Sequence, residues 1–447
     1  MSICKIKSVA LLISFFVLIG LSPRDALGQS DIRIDLSRET RKEVVIAITH
    51  FAAAESSSGP LIQGKDGRSI LENDLILSGI FEMANENVYR HLEQAQSDHS
   101  KVDYRGWSRT GVQWLVQTQY VVDKAKKLVT YVFRLYDVVN EQFLIGKRYR
   151  GSSGSTRQII HRFADEVVKR LTGKRGVAST KIVFLSRKNT GKELYTVDFD
   201  GFNVRELTNE NTVLLSPVWS PDGKSIAYTS YARQNPDLVL FNIKQRKRKT
   251  LTRLPGLNAA PAWSPDGNKI AVVLSKDKNS EIYVLDRKGN LTRLTNHLNI
   301  DTSPTWSANG KKMAFTSDRS GTGSPQIYIM DSRKGDKSAV KRISFGSSYN
   351  DNPAWSPDGS RIAYTSLING TFQIKIYNLD TKMKSVFTSG RVDKEEPSWS
   401  PDGRFIVFKM KRGRKYEIYV KRMGDNKTRQ LTFLSTGGSS PSWSPNL

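Results

Sequence analysis

Cysteine is almost absent from this chain of 447 residues: Cys4 stands alone, which excludes a disulfide framework, a Cys-x-x-Cys redox pair and a thiolate zinc site. Histidine is nearly as scarce. His50, His91, His99, His161 and His297 fall in different segments with no i, i+4 pair, so no histidine metal centre is expected. There is no Gly-x-Ser-x-Gly elbow, and Val218 stands where a phosphate loop ending in Gly223-Lys224-Ser225 would need its first glycine.

Long apolar runs are missing too. The run over 9–21 has 13 residues, short of the ~20 that cross a bilayer. Acidic residues are outnumbered, 43 against 69 basic, for a net charge of +26; 43 of the basic and 24 of the acidic residues lie in 176–447. Such a field favours anionic partners and says nothing about fold. With 38% hydrophobic residues and a mean hydropathy of −0.45, the chain reads as globular and soluble, with room for two or three domains.

Lys5 and Lys7 precede the apolar run, and Ala26-Leu27-Gly28 supplies the small-x-small pattern of a signal-peptidase site. Residues 1–28 therefore read as a signal peptide, and Gln29 as the first mature residue. The mature chain would be cysteine-free and extracytoplasmic, which argues against nucleic acid as the partner of the basic field.

What the chain does have is a repeat. Pro-x-Trp-Ser recurs at Pro217-Val-Trp219-Ser220, Pro261-Ala-Trp263-Ser264, Pro304-Thr-Trp306-Ser307, Pro353-Ala-Trp355-Ser356, Pro397-Ser-Trp399-Ser400 and Pro441-Ser-Trp443-Ser444. Four copies continue as Ser-Pro-Asp-Gly, a tight-turn signal, into alternating strands such as Arg361-Ile-Ala-Tyr-Thr-Ser366. A third strand such as Glu281-Ile-Tyr-Val-Leu-Asp286 and a short fourth complete each unit, and four strands at a period near 44 make a β-propeller blade. The sixth tryptophan strand lacks its other three. Lys181-Ile-Val-Phe-Leu-Ser186, Glu193-Leu-Tyr-Thr-Val-Asp198 and Val204-Arg-Glu-Leu-Thr208 supply them, so the C-terminal strand is expected to close a six-bladed propeller over 176–447.

Residues 29–175 lack the repeat and read as an α/β domain. A strand is expected over 43–50, helices over 69–83 and 87–95, strands over 113–122, 128–139 and 143–149 with a turn at 123–127, and a closing helix over 155–171. Residues 173–179 read as the linker.

Asp222, Asp266, Asp358 and Asp402 repeat in equivalent turns, which points to turn capping rather than catalysis, and the repeated tryptophans point to packing between blades. The basic clusters 244–249, 334–341 and 409–415 read as turns on a solvated rim. The connections from each outer strand to the next inner strand (209–216, 256–260, 296–303, 346–352, 389–396 and 435–440) gather at one mouth of the channel. They carry Asn258, Asp301, Thr302, Asn350, Asp351, Glu395 and Glu396, a polar, partly acidic set suited to a cationic peptide or loop, or to an ion such as calcium. No metal site or cofactor is otherwise indicated.

The order of these parts resembles the TolB family of the periplasmic Tol-Pal envelope system: signal peptide, Asp31-Ile-Arg-Ile-Asp35 near the mature start, an α/β domain ending in Leu171-Thr-Gly173, six tryptophan repeats, and Trp443-Ser-Pro-Asn-Leu447. The resemblance implies a monomeric, non-enzymatic periplasmic scaffold. Its propeller mouth would bind the peptidoglycan-associated lipoprotein Pal, and its mature N-terminal strand (Asp31, Ile32, Arg33, Ile34, Asp35, Leu36) the C-terminal domain of TolA. Association with the outer membrane would be peripheral, through partners, in support of membrane integrity and of constriction at division. The alternatives are an exported propeller enzyme with a channel active site, and a binder of anionic envelope polysaccharide.

Overall fold

The computed structural model describes residues 43–54, 56–57, 64–95 and 101–447. The predicted signal peptide and the strand over 31–36 lie outside the described residues.

The first unit is a mixed sheet built from β1 (Val44–Ile48), β2 (Ala52–Ala53), β3 (Phe81–Met83), β4 (Trp114–Asp123), β5 (Leu128–Asp137) and β6 (Gln142–Ser152). Its order is β3-β1-β4-β5-β6, with β2 continuing beside β4; β1 runs parallel to β3 and β4, and the last three strands form antiparallel hairpins. Helices cover both faces. On one, α1 (Gly64–Ser78) and α4 (Thr156–Thr172) bury Leu71, Leu75, Ile160 and Phe163 against Ile46, Val116 and Phe133, with the Phe133 and Phe163 rings stacked at 4.3 Å. On the other, α2 (Glu86–Ala95) and α3 (Tyr104–Arg109) bury Tyr89 and Trp107 against Leu115 and Tyr136.

Two local readings are corrected. The helix expected over 69–83 is α1, which ends at Ser78; Gly79 takes a φ of 65°, open to a residue without Cβ, and reverses the chain into β3, where Phe81 packs beside β1. The segment 173–179 is pinned rather than loose: the buried Asp165 carboxylate accepts hydrogen bonds from the Ala178 and Ser179 amides, 2.7 and 3.1 Å, and from the Ser179 hydroxyl.

The second unit is a propeller of six four-stranded antiparallel blades. Blade 1 takes its inner strand, Ser439–Trp443, from the C-terminus and its outer three, Lys181–Lys188, Gly191–Asp198 and Arg205–Glu206, from the start of the propeller, as the strand count requires. One repeat tryptophan sits in each of the six inter-blade clusters; Trp306 and Trp399 also donate to Ala262 and Ala354 carbonyls of the preceding blades, both at 3.0 Å. The turn aspartates cap as expected: Asp266 Oδ1 accepts from Ser264 Oγ at 2.6 Å and from the Asn268 amide at 3.0 Å, bonds that hold its carboxyl down to about 2. The basic clusters, expected mostly in turns, divide between turns and strands. Lys244 and Arg246 occupy a turn, but Lys247, Arg248 and Lys249 lie within the outermost strand Lys247–Thr252, whose first four residues are all exposed, and Lys409 lies within a second strand, Phe405–Arg412, beside Glu395 and Glu396.

Candidate functional site: the propeller mouth

Each inner strand carries the same irregularity. Its register slips before the Pro-x-Trp, and the residue preceding proline takes a positive φ: Ser216 at 49°, Ala260 at 48°, Ser303 at 50°, Asn352 at 51°, Glu396 at 58° and Ser440 at 50°. Six bulges at non-glycine residues form a ring of backbone in an uncommon conformation, which with the prolines lines a central cavity of about 160 Å³. The repeated Pro was legible in the sequence; the bulge before it was not, because a residue preceding proline ordinarily takes an extended conformation.

The candidate mouth residues fall into two layers. Asn258, Asp301 and Asn350 are the first residues of inner strands and are fully buried. They hold the connections in place. Asn258 accepts from the Leu254 amide at 3.1 Å and donates to the Leu254 and Gly256 carbonyls, while Asn350 donates to Gln326 Oε1 at 2.9 Å. Asp301 receives Arg319 at 2.7 Å, and the same guanidinium reaches Asp336 at 3.1 Å. Burial nevertheless pushes the Asp301 carboxyl up to about 6, against the opposing pull of Ser317 and Arg319. Lys394, at the equivalent position in blade 6, is buried among the carbonyls of Ser389 and Val392, and desolvation lowers its pKa.

Thr302, Asp351, Glu395 and Glu396 form the second, half-exposed layer. The three carboxylates among them are engaged by neighbours. Asp351 accepts from Thr316 Oγ1 at 2.8 Å and Ser303 Oγ at 3.2 Å, and Glu396 accepts from the Ser440 amide at 2.7 Å. Lys409 Nζ lies 3.0 Å from Glu396 and 3.5 Å from Glu395; burial pulls its pKa down, but the two carboxylates prevail and raise it. For calcium, the channel therefore offers carboxylates that already have protein donors, and an ion would have to displace them.

Among the exposed residues of the connections are several large apolar ones. Val213, Leu298, Ile300, Phe345, Val392 and Phe433 are exposed on five of the six segments between outer and inner strands, Leu298 at 96% and Phe433 at 73%, with the Phe345 ring lying at the periphery against Arg342 and Lys384 of outer strands. Exposed apolar side chains on the connections of one end suit a docking surface. Sequence reading passed over these residues by weighting the polar ones; the signal was an isolated Leu or Phe inside loops otherwise made of Asn, Ser, Thr and Gly.

Fold and site together define a propeller scaffold with an α/β domain attached, whose prominent surface is a mouth suited to docking. The family model for the TolB beta propeller domain matches residues 168–447, and that for the TolB amino-terminal domain matches residues 32–144. The chain belongs to the TolB family. It is 32% identical over 272 residues to a Tol-Pal system protein TolB of Desulfosudis oleivorans, covering 61% of each chain. It is 31% identical over 303 residues to that of Bordetella parapertussis, covering 67% of this chain and 66% of the relative. These alignments thus span about three fifths to two thirds of the relatives' length. The crystal structure of TolB from Acinetobacter baumannii superposes with a TM-score of 0.77 at 28% identity, covering 91% of this chain and 97% of that one. No helix among the described residues is long and apolar enough to cross a membrane.

Proposed function

We propose that the chain is an exported, periplasmic, non-enzymatic scaffold of a Tol-Pal system, receiving a Pal-like lipoprotein at the propeller mouth and the C-terminal domain of a TolA-like protein through residues 31–36. It thereby supports outer-membrane integrity and constriction at division. The observation that carries the reading is the set of exposed apolar side chains Leu298, Ile300, Val392, Phe433 and Val213 on the connections leading to the inner strands, beside a mouth whose polar residues are tied to one another. Thr302, Asp351, Glu395 and Glu396 supply the polar contacts at its centre. The deeper Asn258, Asp301 and Asn350 position the loops. Kinship with Tol-Pal proteins supports the partner classes. The alternation of Ile32, Ile34 and Leu36 with Arg33, Asp35 and Ser37 suits strand addition to another protein's sheet edge.

Titration calorimetry of the mature chain against each partner domain tests the reading. Deleting 29–38 is expected to abolish binding of the TolA-like domain and leave the Pal-like domain bound with unchanged affinity. Full TolA-like binding by the truncated chain would make the segment purely structural, and heat with anionic polysaccharide alone would favour adhesion through Lys247, Arg248 and Lys249.

A further inference from the structure

The contact between the two units contains a buried ionic cluster that the mouth does not use. Asp74 comes from α1, His161 and Arg157 from α4, Asp200 from the turn after the third strand of blade 1, and Arg429 from the outer strand of blade 6. His161 Nδ1 lies 2.6 Å from Asp74 Oδ2, and its Nε2 lies 3.9 Å from Asp200 Oδ2, across the boundary between the units. Asp200 is also bonded to Arg157, whose guanidinium stands 4.5 Å over the Phe202 ring. Arg429 donates to the Phe199 carbonyl at 2.7 Å, and burial draws its pKa down to about 10. Asp165, one turn along α4 from His161, is held by the linker amides.

His161 has two nitrogens and one secure partner. A neutral imidazole that donates from Nδ1 to Asp74 turns an acceptor, Nε2, toward the carboxylate of Asp200, another acceptor. In agreement with this mismatch, Nε2 and Asp74 Oδ1 are buried without a hydrogen-bond partner among the described residues. Protonating Nε2 converts the mismatch into a donor aimed at a carboxylate, with about 1 Å to close before it reaches the usual charged hydrogen-bond length.

We propose that His161 is a proton-operated latch between the α/β domain and the propeller: its imidazolium ties Asp74 on α1 to Asp200 on blade 1, and loss of the proton leaves two acceptors facing each other and loosens the interface. The surrounding charges permit this. Burial alone would lower the His161 pKa, and Arg157 lowers it further, but the bond to Asp74 and the charges of Asp74 and Asp200 outweigh both and raise it. The remaining ties across the boundary change little with mild pH, since Arg404 donates to the Ser78 carbonyl at 3.0 Å and Arg422 to that of Gly79, both at the C-terminal end of α1. The latch is independent of what binds the mouth.

Because Cys4 is the only cysteine, spin labels are readily placed on a full-length Cys4→Ser chain at Lys126→Cys, on the β4–β5 hairpin, and Lys244→Cys, on the propeller. Pulsed electron–electron distances should be narrowly distributed at pH 6.5, above the value of about 6 to which burial raises the Asp74 carboxyl, and at least twice as broad at pH 8.5. The Asp200→Asn and His161→Gln chains should each show the same width at both pH values. In unlabelled protein, NMR should find His161 titrating above 6.5, and Asp200→Asn should lower that midpoint by about one pH unit. A distribution indifferent to pH, an equal response in the variants, a midpoint at or below 6.5, or a width that follows zinc and chelator instead of pH would each overturn the latch.

Discussion

Burial holds the Asp301 carboxyl near 6, so the folded chain keeps a proton there that an unfolded chain releases near 3.9. Between those values the folded state binds more protons, and stability should therefore fall as pH rises through that window. Asp301→Asn removes the titrating group while retaining a partner for Arg319. Urea unfolding at pH 4 and pH 7 should show the wild type losing ~1–3 kcal/mol more than the variant between the two. Asp74, also pushed up to about 6 by burial, adds the same slope to both proteins and cancels in the comparison. Parallel pH profiles would remove Asp301 as a titrating group. The turn aspartates were legible in the sequence because they repeat beside Gly in a turn of known chemistry. The buried role of Asn258, Asp301 and Asn350 was not, since a polar residue next to a loop reads as loop until cross-strand pairing places it in a strand.

At the scale of elements, the closing strand Ser439–Trp443 joins the two ends of the propeller. Trp443 packs with Phe199 and Phe405 and donates to Thr180 Oγ1 at 2.8 Å, and the Lys181 amide donates to Ser444 Oγ at 2.9 Å. Deleting 439–447 strips a tryptophan worth about 3–5 kcal/mol, removes the indole donor from Thr180 Oγ1, whose own hydroxyl still donates to the Val177 carbonyl, and exposes the edge of Lys181–Lys188 along the channel. Those losses are comparable with the stability of a whole domain. Near-ultraviolet circular dichroism should show the propeller's cooperative melt lost or shifted down by more than ~10 °C; superposition on the full-length melt would refute the closure. The blade count and closure were readable because periodicity is a long-range signal repeated six times. The end of α1 and the strand β3 were missed because Phe81 and Met83 fit a helical pattern as well as a strand pattern over so few residues, and only pairing with β1 decides. Seven residues of Arg- and Gly-containing chain after α4 likewise looked like a free linker until Asp165, on the helix, was seen to hold their amides.

For the whole molecule, the account joins an α/β domain to a propeller through arginines and a histidine, and leaves the mouth face open to a partner. Titration calorimetry of the full chain against the soluble domain of a Pal-like lipoprotein, with the double variant Leu298→Asp, Phe433→Asp beside the wild type, tests this most directly. Both side chains are exposed, so the variant should melt with the wild type. The account predicts one-to-one binding by the wild type, weakened at least tenfold in the variant, or about 1.4 kcal/mol. No binding by the wild type, or equal affinity in the two proteins, would contradict it.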